Sequence, residues 1–493
     1  MRGPILTSDS RAHYRATFIV LSISCVGYAL LQSLASPVLP TLEIGLHTSQ
    51  NAVTWVLTAY LLSASVWTPI VGRLGDMWGK ERLLVVAMSA LVVGCAVSAL
   101  ATSLPLMIGG RVIQGVGGGV LPLAFGIIRD EFPAEKVGSA VGVITAIIAA
   151  GSGVGLVIAG PIVNSLGFHW LFWLPAIMLV PATIAAKVFV PASPVRGTGR
   201  VNIVAAVALS AWLVAVLVAV SEAPSWGWGS GRVVGLFVLG AVIAATWVAV
   251  ELRATSPLID MRMMRMPVVW TLNLVAFLFG FGMYAVMAFL PEFLQTSPSA
   301  GYGFGLSVTG SGLILLPQCV VMFAVGVWSG PLALKYGGRF VLLLGSTISI
   351  APFLLLVFAN NHQWEIVIAT GLLGAGFGLA FTAMSALIVA GVPAEQTGVA
   401  SGMNANIRTI GGSIGAAVMS SIIAATVHDG SLPTAAGYDH GFAFLTAMGV
   451  LAAAAVLLVP RSRHLDREEF EHALPHPGVG LVAAGTLLGD DPE

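Results

Sequence analysis

The chain has 493 residues, 57% hydrophobic and only 9% charged, with a mean hydropathy of +0.94. A soluble domain needs about a quarter of its residues charged to cover its surface, so this composition excludes one and reads as a polytopic membrane protein. The 22 basic and 22 acidic residues cancel, so no global charge points to nucleic acid, and Cys25, Cys95 and Cys319 all sit inside apolar runs, as small core residues rather than a disulfide framework or metal site.

A spanning helix takes roughly 20 apolar residues. Fourteen runs meet that rule, near 17–40, 52–72, 83–102, 105–128, 138–163, 170–190, 202–221, 232–250, 268–291, 307–329, 340–359, 365–390, 398–427 and 441–460. The first follows Arg11 and Arg15 and is long enough to be a signal anchor rather than a cleaved leader. Between the second and third runs lies GRLGDMWGKER, Gly72 to Arg82, with five charges among three glycines, Gly72, Gly75 and Gly79. It reads as a charged loop against the bilayer, a candidate hinge or gate. A short loop at Ser221–Gly231 holds Trp226 and Trp228, which suit an interface, and the stretch from Arg461 onward reads as a disordered cytoplasmic tail.

An even number of crossings puts both termini on one side. With that side cytoplasmic, every Lys and Arg falls in an inner segment except Arg232, at an outer edge, and Arg111 and Arg408, inside helices; this is the positive-inside pattern.

The chain also repeats itself. PAEKVGSAVG at 133–142 matches PAEQTGVASG at 393–402 in six of ten residues, and at the same offset Gly151 and Gly155 meet Gly411 and Gly415. GPLALKYGGR, Gly330 to Arg339, is a weaker echo of the first charged loop, with Leu334 where that loop has Asp76. Both pairs of loops lie on the cytoplasmic side, so the repeats are parallel. The expected architecture is an all-α membrane protein of six, two and six helices: residues 1–199 form an N-terminal six-helix bundle, 200–266 two inserted helices and a linker, 267–460 a C-terminal six-helix bundle, and 461–493 the tail.

Parallel six-helix halves with GRLGDMWGKER after the second helix resemble the major facilitator superfamily, and two inserted central helices make the chain similar to its fourteen-spanner drug:proton antiporter family. Trp55 to Arg82, GRVIQGVGGG (Gly110–Gly119), GSGVGLVIAG (Gly151–Gly160) and GVASGMNANIRTIGGSIGAAV (Gly398–Val418) carry the resemblance. Three departures stand out. CVGYALLQS (Cys25–Ser33) lacks the acidic residue common in the first helix, Leu156 stands where a proline usually follows the key glycine, and His169 replaces a basic residue between aromatics.

Arg111 is the sharpest candidate for chemistry. A guanidinium inside a spanning helix is costly unless it meets a cavity or a partner. It can hold a carboxylate electrostatically, or anchor helix ends by hydrogen bonds, and the resemblance implies a role in proton coupling. Glu292, after Pro291 in FLPEFLQ, is the acidic residue placed at or just inside the membrane in the transport core, as proton site, cation contact or rim carboxylate. Asn404 and Arg408, with Gly411 and Gly415, give the thirteenth helix a polar half and a thin half. Gly151, Gly155 and Gly160 suit close packing of the fifth helix against the opposite bundle. Tyr28, Gln32, Trp55, Tyr60, Gln318 and Met384 are candidate cavity-lining groups. Gly72, Arg73, Asp76, Gly79, Lys80 and Arg82 form the gate motif, read as a cytoplasmic latch in which Asp76 pairs with Arg82 or with a helix N-terminus of the other half.

No GxxxxGK[ST] loop is present, which argues against ATP-driven pumping, and no hydrolase elbow or His/Cys cluster argues for an enzyme. The expectation is a proton-gradient-driven antiporter that exports lipophilic or cationic small molecules, without cofactor, metal or nucleic acid, as a monomer in the plasma membrane. A dedicated exporter of one metabolite, a proton symporter on the same scaffold and a non-transporting receptor are the alternatives.

Overall fold

In a computed structural model, residues 8–132, 134–193, 202–254, 257–392, 397–427 and 433–460 are described. Among them, fourteen helices are long and apolar enough to span a bilayer. They are α1 (Tyr14–Leu34), α2 (Trp55–Trp78), α3 (Lys80–Ala99), α4 (Leu104–Glu131), α5 (Val143–Leu166), α6 (Trp170–Phe189), α7 (Ile203–Trp226), α8 (Gly231–Arg253), α9 (Pro267–Gln295), α10 (Val308–Ser329), α11 (Gly338–Phe358), α12 (Gln363–Ile388), α13 (Val399–Ala424) and α14 (Ala435–Val456). The apolar runs read from the sequence find their helices here. The most similar repeated stretches, 133–142 and 393–402, lie partly outside the described residues, and the tail at 461–493 lies wholly outside them.

The charged segment is not a loop. α2 runs through Gly72, Arg73 and Asp76 to Trp78, Gly79 alone breaks the chain at φ 105°, and Lys80 opens α3. Only glycine takes that backbone without strain. The weaker copy is built alike: a helix ends at Tyr336, Gly337 turns at φ 88°, and Gly338 opens the next. The Ser221–Gly231 segment is also shorter than its sequence suggests, because α7 continues to Trp226 before Gly227 turns the chain.

Two spanning helices are interrupted. A 3₁₀ turn, Val116–Gly119, divides α4, and α11 breaks at Ser349. Short 3₁₀ and α segments, Ser36–Val38 and Leu39–Gly45, cap the far end of α1. Below, the face on which α1 begins and α14 ends is called the terminal face.

Buried side chains gather into separate cores. Leu21, Leu84, Met88, Leu91 and Ile128 centre one between α1, α3 and α4, with Leu34, Val56, Met107 and Phe172 continuing it towards the opposite face. Leu272, Val275, Leu342, Phe353, Phe377 and Phe442 centre another among α9, α11, α12 and α14. The inserted α7 packs against both sets. Leu209, Leu213 and Leu217 join Leu62 and Val66 of α2 and Met403 and Ile410 of α13 in one cluster. α8 is almost wholly peripheral, with 17% of its most apolar window buried in protein, as expected of a lipid-facing helix.

Candidate functional site

Glycines set how closely the two six-helix sets approach. A Cβ added at Gly153 would strike Cys319 of α10, and one at Gly160 would lie 2.7 Å from the backbone nitrogen of Thr309. From the other side, a Cβ at Gly312 would lie 3.0 Å from the carbonyl carbon of Leu156. So α5 and α10 run backbone to backbone across the seam. Gly151 and Gly155 do not serve that contact, contrary to the sequence reading. They face Ala29 and Ser33 of α1, within their own half. Their repeat partners behave alike: Gly411 and Gly415 face Phe277 and Phe281 of α9. The small-residue signal was legible; the neighbour each glycine admits was not.

Between the halves lie two cavities. The one toward the terminal face, about 180 Å³, is lined by Tyr28, Gln32 and Tyr60 from the first half and by Tyr284, Gln318, Asn404 and Arg408 from the second. The other, about 240 Å³, is lined by Thr58, Arg111, Glu292 and Ser413, and by Leu217, Ser221 and Pro224 of the inserted α7. Gln32, Tyr60, Leu61, Tyr284 and Met287 belong to both linings, so they form a waist between two vestibules. Gln32 Nε2 donates to the Tyr284 hydroxyl at 3.5 Å, and that hydroxyl lies 3.3 Å from Thr409 Oγ1. The waist is thus bridged by polar side chains from both halves. Tyr284 was missed in the sequence reading because a tyrosine in an apolar run gives no sign of which way it faces.

Two expected lining residues lie elsewhere. Trp55 starts α2 and donates from Nε1 to Glu222 Oε1 of α7 at 2.8 Å, so it ties the inserted helix to the first half. Met384 is 1% exposed within the α9–α12 core; its helix lines the cavity through Phe381, Ser385 and Ile388 instead.

Arg111 is fully buried. Nε donates to the Val56 carbonyl at 2.8 Å, Nη1 to Gln114 Oε1 at 2.7 Å and more weakly to the Leu31 carbonyl at 3.5 Å. Gln114 passes the chain on to Ser98 at 3.1 Å, and the guanidinium lies 4.5 Å from the Tyr60 ring centroid. The charge is therefore spread over backbone carbonyls, an amide and a π face, with no carboxylate in an ion pair with it among the described residues. Glu292 is half-buried in the same vestibule.

At the terminal face, Asp76 stands 3.9 Å from Lys80, not against Arg82. Arg82 points outward, 66% exposed, and among the described residues reaches its neighbour Glu81 at 3.7 Å. The close pair is Lys80 Nζ with Asp130 of α4, at 2.6 Å. Asp130 also accepts from Ser193 Oγ at 2.7 Å, and Glu81 accepts from the Ser193 backbone at 3.1 Å. Arg73 lies half-buried on α2. These pairs gather α2, α3, α4 and the segment after α6, all in the first half, whereas the sequence reading set Asp76 against Arg82 or the other half. Asp130 was not foreseen, because nothing in the local pattern links it to Lys80. The halves do meet nearby, where a Cβ on Gly402 of α13 would lie 3.8 Å from Pro122 and 4.0 Å from Thr68. Asn404 Nδ2 donates to the Leu272 carbonyl at 3.2 Å and to Asn273 Oδ1 at 3.1 Å, clamping α13 to α9.

A family model for the Major Facilitator Superfamily matches residues 21–416 and, as a second match, 272–486. The chain belongs to the Major Facilitator Superfamily. Among superfamily members it is 29% identical over 382 residues to the multidrug transporter protein MdtP of Bacillus subtilis, covering 76% of this chain and 69% of that one. It is 27% identical over 417 residues to the tetracenomycin C resistance and export protein of Streptomyces glaucescens, covering 84% and 76%. An uncharacterized MFS-type transporter of Mycobacterium tuberculosis matches at 27% over 85% of this chain, which spans only 60% of that protein's length. The crystal structure of the human organic anion transporter MFSD10 superposes with a TM-score of 0.62 at 14% identity, over 91% of this chain and all of that one. This last likeness speaks to the superfamily fold alone.

Proposed function

We propose that this protein exports lipophilic small molecules across the plasma membrane by alternating access, driven by a proton gradient. The observation that carries the reading is the waist, where Gln32 and Tyr60 of one half and Tyr284 of the other separate two vestibules. A seam with vestibules on both sides can open each in turn if the halves rock. The direction of transport is taken from the relatives, a multidrug transporter and a resistance and export protein.

In this reading the terminal face is cytoplasmic, and residues 1–199 and 267–460 are the rocking bundles, with 200–266 inserted between them. Glu292 takes up and releases the proton in the outer vestibule. Arg111, held by carbonyls, is a fixed charge whose field that proton changes. Lys80 and Asp130 brace the inner ends of the first half. The protein works as a monomer and needs no cofactor.

The test is dye efflux from sealed vesicles holding the purified chain, with a pH gradient imposed in either direction and a panel of lipophilic dyes. Efflux that follows the gradient's sign is expected. Dye movement indifferent to the gradient would remove the proton from the mechanism, and no movement of any dye would remove export.

A further inference from the structure

Two arginines stand in the membrane-spanning part, Arg111 fully buried and Arg408 half-buried, and they are treated differently. Arg111 is met by protein oxygens at Nε and Nη1, though its Nη2 has no partner. Arg408 is not: its Nε is buried without a hydrogen-bond partner, and no ion pair reaches it among the described residues. Its guanidinium lies 4.8 Å from the Phe381 ring centroid, and its titratable neighbours, Tyr28 and Tyr284, are phenols. Two residues earlier, Asn406 is 2% exposed, and neither its amide oxygen nor its amide nitrogen has a partner. Both residues line the vestibule on the terminal face, whose described lining contains no Asp or Glu and no charged side chain other than Arg408.

A guanidinium away from water is costly unless an anion or a set of acceptors meets it, and a ring face recovers only part of that cost. An arginine kept there only to hold helices together would donate to backbone carbonyls, as Arg111 does. The donors of Arg408, and the donor and acceptor of Asn406, are left for something that arrives through the cavity.

We propose that Arg408 and Asn406 form the substrate-recognition subsite of this vestibule, and that it takes aromatic molecules bearing a negatively charged oxygen, a carboxylate or a phenolate, in preference to cations. The anion meets the Arg408 guanidinium, Asn406 bonds a neighbouring oxygen, and the ring lies among Phe381 and Tyr284. The inference rests on the export reading above and narrows it, because composition alone favoured lipophilic or cationic substrates.

The experiment compares two dyes on one ring system, anionic fluorescein and cationic rhodamine 123, for equilibrium binding to the full chain in nanodiscs, with empty nanodiscs subtracted. The wild-type chain should bind fluorescein about tenfold more tightly than rhodamine 123, the size of one charge-assisted contact. Arg408→Ala should remove that preference by weakening fluorescein alone, Arg408→Lys should keep part of it, and Arg408→Glu should reverse it. Asn406→Ala should weaken fluorescein about threefold, as loss of one neutral hydrogen bond does. Equal binding of the two dyes by the wild-type chain, tighter rhodamine binding, no fluorescein binding, or equal weakening of both dyes in Arg408→Ala would each overturn the proposal. The wild-type comparison needs no substitution, so it decides even where a variant does not fold. Selective binding without gradient-driven efflux would leave the subsite standing and sink the export reading; gradient-driven efflux of rhodamine 123 without fluorescein binding would do the reverse.

Discussion

The two halves share a backbone crossing and fill it with opposite chemistry. In the first, a Cβ on Gly110 of α4 would lie 2.8 Å from the Ser98 nitrogen and 2.9 Å from the Gly94 carbonyl of α3. In the second, a Cβ on Gly376 of α12 would lie 2.8 Å from the Ser349 nitrogen and 2.9 Å from the Gly345 carbonyl of α11. The next residue is Arg111 in one half and Phe377 in the other. Arg111 opens a chain of hydrogen bonds through Gln114 to Ser98. Phe377 packs edge-on to Phe279 at 5.7 Å and stacks on Phe381 at 5.5 Å. The repeat preserves how close two backbones come. What stands at the crossing is free to differ, and the difference places a fixed positive charge in one half and an aromatic wall in the other.

The sharpest way to break this comparison is to exchange its chemistry. Arg111→Ala removes the charge and strands the Val56 carbonyl and Gln114, so gradient-driven efflux should fall by at least about 100-fold while the protein still elutes as a folded species. Phe377→Leu should leave at least about half the rate, since it loses some packing but strands no charge or hydrogen bond. Equal losses in the two variants would mean that the crossing matters only as packing.

Next in size is the terminal face. Lys80 joins Asp130 at 2.6 Å, whereas Lys335 of the weaker copy lies 5.1 Å from the ring of its neighbour Tyr336. Lys80→Met should slow turnover about tenfold, because breaking a partly buried pair strands the carboxylate. Lys335→Met should change it less than about twofold. A similar slowing in both would show that net charge at this face, not the pair, sets the rate.

The turns between helices should behave as equals. Gly79→Ala and Gly337→Ala each force a side chain into a positive-φ backbone, at about 1–3 kcal/mol apiece. Thermal melts in detergent should report comparable losses. A silent Gly337 would mean that its turn relaxes where the Gly79 turn cannot.

Smallest in dye affinity, though not in coupling, is the effect at Glu292, in the vestibule it shares with Arg111. Glu292→Gln should flatten the pH dependence of efflux while leaving dye affinity unchanged. A wild-type pH profile in this variant would make the carboxylate a rim group.

The helices were legible because hydropathy counts residues, and a bilayer enforces that count. The gate segment was misread because its charges suggested a loop, yet Arg73 and Asp76 ride on α2 and one glycine makes the whole turn. The vestibules were half legible. Tyr28, Gln32, Tyr60 and Gln318 declared themselves as polar or amphipathic groups in apolar runs, and they line the cavity. Trp55 and Met384 looked no different, but one faces Glu222 and the other the core. The direction in which a helix presents a residue depends on partners far away in sequence, which no local pattern contains.

The inserted segment is fastened twice. Glu222, near the end of α7, holds Trp55 of the first half, and Trp228, just beyond α7, donates to Ser421 of the second half at 2.8 Å. A strap buckled to two bodies sets how far they can swing apart, and any larger arc must first undo one buckle. If the halves rock as proposed, the length of the stroke is set by a segment outside either repeat, and trimming either buckle should lengthen it without touching a vestibule's charge.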